Sequence, residues 1–296
     1  MDFFYFRHVI LPKVVAVWRV VCYPIIMIGV LAATMTTWVI ITLLSYFFAI
    51  RFMGRELLTY EEFNAIFSVY ESPLIILVSS AITFFIIWIL QRKAWKGDGF
   101  WKNSRISIYG IAICALAGTA LNFSAGGMVS LTGVYAFFPE PVEWLEVSIA
   151  PDNVLQVLSV VIIAPFLEET IYRGIVLKRL MNITNKFYVA NIIQALLYGV
   201  WQLTVSQSTY IFFLGLILGW VYVKYRTIWA PIVIRITFNL TYVLGVGIWG
   251  WSVYFAELSR LPVIIITIAS VAVTGLFIYK ISKLDISNDE EQLKPE

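Results

Sequence analysis

The stretch APFLEETIYRG, residues 164–174, sets the main constraint on how this chain folds. It lies in a segment that is otherwise apolar from Val154 to Leu177, yet it contains two adjacent glutamates and an arginine. On insertion scales, each charge at the centre of a membrane helix costs about 2.5–3.5 kcal/mol. The stretch therefore indicates either a catalytic centre or a buried ion pair at membrane depth.

The composition of the whole chain is that of a polytopic membrane protein. Of 296 residues, 60% are hydrophobic and 13% are charged, whereas a soluble domain is nearer to half apolar and a quarter charged. The length allows about eight spans of roughly 20 residues each. Cys22 and Cys114 both lie in apolar stretches, so we expect small buried side chains and not a disulfide or a metal site.

Hydropathy predicts eight spans, and their boundaries follow the apolar runs of the sequence. The predicted spans are 17–49, 72–91, 106–124, 154–178, 187–203, 208–224, 227–249 and 261–281. Arg19 and Pro24 lie near the start of the first span, which is compatible with an interfacial beginning. Two further segments, 57–71 and 137–149, fit either short helices on the outer surface or solvated loops, and the polar tail from Lys283 is predicted to be disordered.

The basic residues of the loops define the orientation. With eight spans, most of them fall on the same side of the membrane, and the opposite loops are acidic, mixed or almost uncharged. These basic residues are Arg7, Lys13, Arg92, Lys93, Lys96, Lys102, Arg105, Lys178, Arg179, Lys186, Lys224, Arg226, Lys280 and Lys283. Because positive loops stay in the cytoplasm, we predict an all-α bundle of about eight transmembrane helices with both termini cytoplasmic.

Away from the ends of the predicted spans, the membrane interior holds four charged side chains, two negative and two positive, which balance one another. Glu169 and Arg173 are four residues apart and share a helix face in the favourable acid-first order. Glu168 is about 100° away around the helix and needs a partner from another span, where Arg235 is available. Pro165, just upstream, removes a backbone donor and can open the helix locally.

Polar residues recur at helical spacing in the later spans as well. Tyr198 and Gln202 are four apart on one face of the fifth span, and Arg235 and Asn239 have the same spacing in the seventh. The sixth span contains a G-x-x-x-G at 215–219, which indicates close helix packing and not a functional site.

These residues resemble the motifs of the CPBP family, the CAAX-type proteases and bacteriocin-processing enzymes also called Abi proteins. EETIYR (168–173) is similar to the family's E-E-x-x-x-R motif. The family's F-x-x-x-H motif aligns with Tyr198 and Gln202, and its H-x-x-x-N/D motif aligns with Arg235 and Asn239. Both motif histidines are therefore replaced.

The resemblance implies roles for the aligned residues. In active members the first glutamate is thought to activate water, and the two histidines assist as ligands or as donors to the oxyanion. Those roles would fall on Glu168, Gln202 and Arg235, with Asn239 supporting. The only histidine in the sequence, His8, lies outside every predicted span.

The chemistry of these residue types weakens the enzymatic interpretation. A nearby arginine favours the ionised form of a carboxylate, which opposes its use as a general base near neutrality. Zinc takes histidine, cysteine and carboxylate ligands, and the motifs offer only Glu168 and Glu169, so we expect no cofactor and no zinc. Arginine and glutamine are nevertheless donors that could stabilise an oxyanion.

Two functions remain open at this point. The first is a proteolytically inactive pseudoprotease that acts as a scaffold or regulator of another membrane protein or cell-envelope enzyme. The alternative is an intramembrane glutamic-type endopeptidase that cleaves a membrane-associated peptide, including bacteriocin processing or self-immunity. Lipid binding is compatible with both, and no nucleic-acid partner is expected.

The expected organisation has three parts. Residues 1–150 form N-terminal membrane helices with outer-surface loops, 151–245 form the CPBP/Abi-like core, and 246–296 form the last transmembrane helix and a polar cytoplasmic tail. The resemblance implies a multi-pass protein of a bacterial plasma membrane.

Overall fold

The chain is helical wherever its structure is described. A computed structural model describes residues 11–53, 60–97, 106–132, 154–202, 205–249 and 260–283, and no strand occurs in these ranges. Eight helical segments occupy the eight predicted positions. Their bounds are α1 Leu11–Met53, α2 Tyr60–Gly97, α3 Ile108–Thr132, α4 154–184, α5 Phe187–Trp201, α6 Val205–Tyr225, α7 Trp229–Trp249 and α8 Arg260–Ser282.

The helix α4 is not uniform. It runs as α-helix over Val154–Leu158, as π-helix over Ser159–Ile163, as α-helix over Ala164–Ile171, as π-helix again over Tyr172–Leu177, and as α-helix over Lys178–Thr184. The first π-turn ends at Ile163, two residues before Pro165, which agrees with the expectation that this proline opens the helix locally. π-turns inside α-helices are frequent at functional sites.

The all-helical membrane bundle predicted from the sequence is confirmed. Within the described ranges, α1, α2, α3, α6 and α8 contain segments long and apolar enough to cross a membrane, and α5 and α7 are shorter apolar helices. α1 continues through Pro24, and residues 60–71 form the first turns of α2 instead of a separate short helix. The segment 137–149 and the tail beyond residue 283 lie outside the described residues.

The bundle packs through a few close helix pairs. α3 lies against both α7 and α8, α5 lies against α6, and α1 lies against α2. Small residues allow the close approaches: a Cβ at Gly118 of α3 would meet the Thr237 side chain and the Ile234 carbonyl of α7. α4 contacts α2, α5 and α7, so the segment with the charged residues lies within the bundle. The three-part division of the chain and the cytoplasmic placement of both termini stay predictions.

Candidate functional site

The ion pair expected within α4 is present and completely buried. Nη1 of Arg173 lies 2.8 Å from Oε1 of Glu169, and neither side chain is exposed. Arg173 also donates from Nη2 to the carbonyl of Gly215 on α6, at 3.3 Å. Because the guanidinium bonds both to its own helix and to a neighbouring one, this pair ties α4 to α6.

Glu168 receives its partners from two other helices. The Tyr198 hydroxyl on α5 donates to Glu168 Oε2 at 2.6 Å, and Nη2 of Arg235 on α7 donates to the same oxygen at 3.4 Å. The side chains of Glu168 and Arg235 keep 13% and 8% of their surface exposed. The Glu168 carboxylate therefore joins α4, α5 and α7 at a nearly buried point.

Tyr198 is the residue of this site that the sequence analysis did not count among the site residues. Its side chain is fully buried, and the guanidiniums of Arg173 and Arg235 lie 4.5 and 5.8 Å from the centre of its ring. The electron-rich face of an aromatic ring attracts cations. A signal was available in the sequence, because a tyrosine hydroxyl inside an apolar span usually needs a hydrogen-bond partner.

The remaining two predicted site residues are used differently. Asn239 of α7 donates from Nδ2 to the main-chain carbonyl of Val160, at 2.7 Å. Gln202 directly follows α5, and its Nε2 is buried with no hydrogen-bond partner among the described residues. The structure thus brings Glu168, Glu169, Arg173 and Arg235 together around Tyr198. Asn239 bonds instead to the main chain of the first π-turn of α4, and the Gln202 side chain makes no described contact with the cluster.

The residues of this cluster do not fit a zinc ion. Zinc sites in proteins are built from three or more histidine, cysteine or carboxylate ligands. Across the described ranges, no group of three or more such residues is placed to hold a metal ion. The two carboxylates are instead paired with arginines.

Fold and site together define a multi-pass helical membrane protein with a charge-balanced polar centre on an interrupted helix. Residues 150–241 match the family described as Type II CAAX prenyl endopeptidase Rce1-like, and the resemblance predicted from the motifs is confirmed over this segment. Comparisons with curated proteins and with solved structures gave no match. The chain is therefore a multi-pass membrane protein in which residues 150–241 are similar to the Rce1-like CAAX endopeptidases.

Proposed function

We propose that this protein is a membrane-embedded scaffold or regulator that does not hydrolyse peptides. The observation that carries the proposal is the double engagement of one oxygen of Glu168 by the Tyr198 hydroxyl and by Arg235. A general base has to accept a proton from water. Oε2 of Glu168 already accepts two hydrogen bonds, from the Tyr198 hydroxyl and from Arg235, so this oxygen is not free to take up that proton while both donors stay in place.

The partner we propose is another membrane protein or a cell-envelope enzyme, such as a sensor kinase or a transporter, in a bacterial plasma membrane. The cluster would then serve to hold α4, α5, α6 and α7 in one arrangement, so that the surface offered to the partner is constant. Buried polar contacts can fix register without adding net stability. No cofactor is needed for this role.

One observation favours peptide hydrolysis as the second candidate. Glu168 keeps 13% of its side chain exposed, and Tyr198 and Arg235 are donors beside it that could stabilise a developing oxyanion. The substrate would be a membrane-associated peptide, as the family resemblance implies. This candidate requires the Arg235 guanidinium to leave the carboxylate when substrate binds.

The two candidates are separated by removing the base without leaving a buried charge behind. The double variant Glu168→Gln/Arg235→Gln is neutral and keeps side chains that can hydrogen-bond. In a host strain that lacks the gene, the scaffold proposal expects this variant to restore the deletion phenotype at matched membrane levels. The variant Tyr198→Phe, which retains both Glu168 and Arg235, is the control for loss of a hydrogen bond alone.

The opposite outcome is equally clear. If the double variant is folded and present at wild-type levels, still retains its partner in affinity purification, and yet fails to restore the phenotype, then Glu168 does chemistry. The endopeptidase would then be the better assignment.

A further inference from the structure

The first π-turn of α4 creates a carbonyl for which the helix has no donor. In a π-helix, the N–H of one residue bonds to the carbonyl five residues earlier, and Ala164 donates to Ser159 in this register. The next donor in the same register would be residue 165, to the carbonyl of Val160. Residue 165 is a proline and has no N–H.

The missing donor is supplied by a different helix. Nδ2 of Asn239, on α7, donates to the Val160 carbonyl at 2.7 Å. Pro165 is buried, and backbone polar groups at membrane depth have to be satisfied within the protein. The side-chain amide of Asn239 therefore occupies the place of the N–H that Pro165 lacks.

We propose that Asn239 is a positioning residue that caps the Val160 carbonyl in place of Pro165 and so sets the register of α7 against α4. Arg235 lies one helical turn before Asn239 on the same face of α7, and it meets Glu168, which lies beyond Val160 on α4. The two helices are thus joined at two points, and the capped carbonyl fixes where Arg235 meets the carboxylate. The inference holds whether or not the protein hydrolyses peptides.

This role differs from the one that the resemblance implies for Asn239. There, the asparagine supports the reacting groups. Here, its amide bonds to the main chain of the π-turn, and it acts on Glu168 only through the placement of α7.

The test is a second-site rescue in the full-length protein. Asn239→Ala removes the cap, and Asn239→Asp removes the donor at nearly constant shape, so both should lower the melting temperature in detergent. Pro165→Ala returns a backbone N–H to residue 165, and the expected result is that it restores at least half of the loss caused by Asn239→Ala. If Asn239→Ala cannot be purified, recovery of monodisperse double variant is scored instead.

The chain offers a matched control for a general effect of removing the proline. Asn191 on α5 also donates from Nδ2 to a main-chain carbonyl, that of Leu216, at 2.9 Å, but no proline lies in that pair. Pro165→Ala should change Asn191→Ala no more than it changes the wild type. If Pro165→Ala rescues both asparagine variants to the same extent, or rescues neither, the proposal is wrong. The stability effects of substitutions at 165 and 239 should be non-additive only if both residues serve the same acceptor, the Val160 carbonyl.

Discussion

Two arginines share one tyrosine ring at the centre of this protein, and each pairs with a different glutamate. Arg173 and Arg235 both approach Tyr198, while their carboxylate partners are Glu169 and Glu168, respectively. The cluster contains two positive and two negative groups, and it is built around an aromatic ring that attracts cations. Removing any one charge would leave its partner unbalanced in a region with little water.

The first prediction concerns Arg235. Arg235→Ala leaves the Glu168 carboxylate nearly buried without its cation, and breaking a buried pair in this way costs about 3–5 kcal/mol. We expect a corresponding fall in the free energy of unfolding, measured by reversible denaturation in mixed micelles. Adding Glu168→Gln should restore a large part of the loss, because the unpaired charge is then gone. Unchanged stability of Arg235→Ala would show that the pair at 3.4 Å contributes nothing.

The second prediction isolates the Tyr198 hydroxyl. Tyr198→Phe keeps the ring that both arginines approach but removes a 2.6 Å hydrogen bond to Glu168. Hydrogen bonds to charged groups contribute about 1.5–3 kcal/mol, so we expect a loss of stability of this size. Tyr172 is the matched control, because its ring lies 4.7 Å from that of Tyr198 and its buried hydroxyl has no partner among the described residues. Tyr172→Phe should therefore be neutral or stabilising in the same unfolding assay. Equal losses in the two variants would contradict a specific role for the Tyr198 hydroxyl.

The same residues show how far the sequence could lead at this scale. The Glu169–Arg173 pair follows from helical spacing alone, since residues four apart share a face. The partners of Glu168 depend on how three helices pack. Charge balance pointed to Arg235 as a partner, but the distance between the Arg235 guanidinium and the Glu168 carboxylate could not be predicted. The contact of Asn239 could not be foreseen, because it depends on a π-turn that changes the register of α4.

At the scale of elements, the G-x-x-x-G of α6 has a packing role. The Gly215 carbonyl accepts hydrogen bonds from Arg173 and from Gln194 of α5, and Asn191 of α5 bonds to the neighbouring Leu216 carbonyl. Polar side chains of α5 thus lie directly on the main chain of α6. The two glycines allow the close approach that the motif indicated, because a Cβ at either position would crowd residues of α5.

The third prediction follows from that interface. A Cβ at Gly219 would meet Oδ1 of Asn191, with the amide of Gln194 close behind, so Gly219→Ala is expected to cost about 1–3 kcal/mol through overpacking. Gly275 on α8 is the matched control, because nothing lies within 4 Å of a Cβ built there. Gly275→Ala should be neutral or slightly stabilising, since alanine favours helix over glycine by about 1 kcal/mol. Equal behaviour of the two alanine variants in a thermal-unfolding assay would contradict the α5–α6 packing.

Element boundaries show what hydropathy does and does not determine. The predicted spans lie within or close to the observed helices, because an apolar run has to be helical at membrane depth. The apolar runs of the sequence did not predict that α1 extends over 43 residues or that residues 60–71 belong to α2. Helices continue into polar sequence when no strong stop signal interrupts them, whereas hydropathy reports only the apolar part.

At the scale of the whole molecule, the positive-inside rule predicts which side of the membrane the ends of α2 and α3 face. α2 ends in a basic segment that includes Arg92, Lys93 and Lys96, whereas the last turn of α3 has no basic residue. Only residues 98 to 107 separate the two helices in the sequence, so we expect α2 and α3 to cross the membrane in opposite directions. Positive loops stay in the cytoplasm, so the end of α2 should be cytoplasmic and the end of α3 should face outward.

The fourth prediction tests this orientation with single cysteines. Lys96 at the end of α2 and Thr132 at the end of α3 are both exposed, so Lys96→Cys and Thr132→Cys are introduced into a background in which Cys22 and Cys114 are replaced. A membrane-impermeant maleimide applied to intact cells should label the cysteine at 132, and the cysteine at 96 only after permeabilisation. If the cysteine at 96 is labelled in intact cells and the cysteine at 132 is not, the bundle has the opposite orientation. If both are labelled from outside, α3 does not span the bilayer. Because the two sites lie on either side of α3, one before the helix begins and one at its end, a difference in labelling between them measures the orientation of α3.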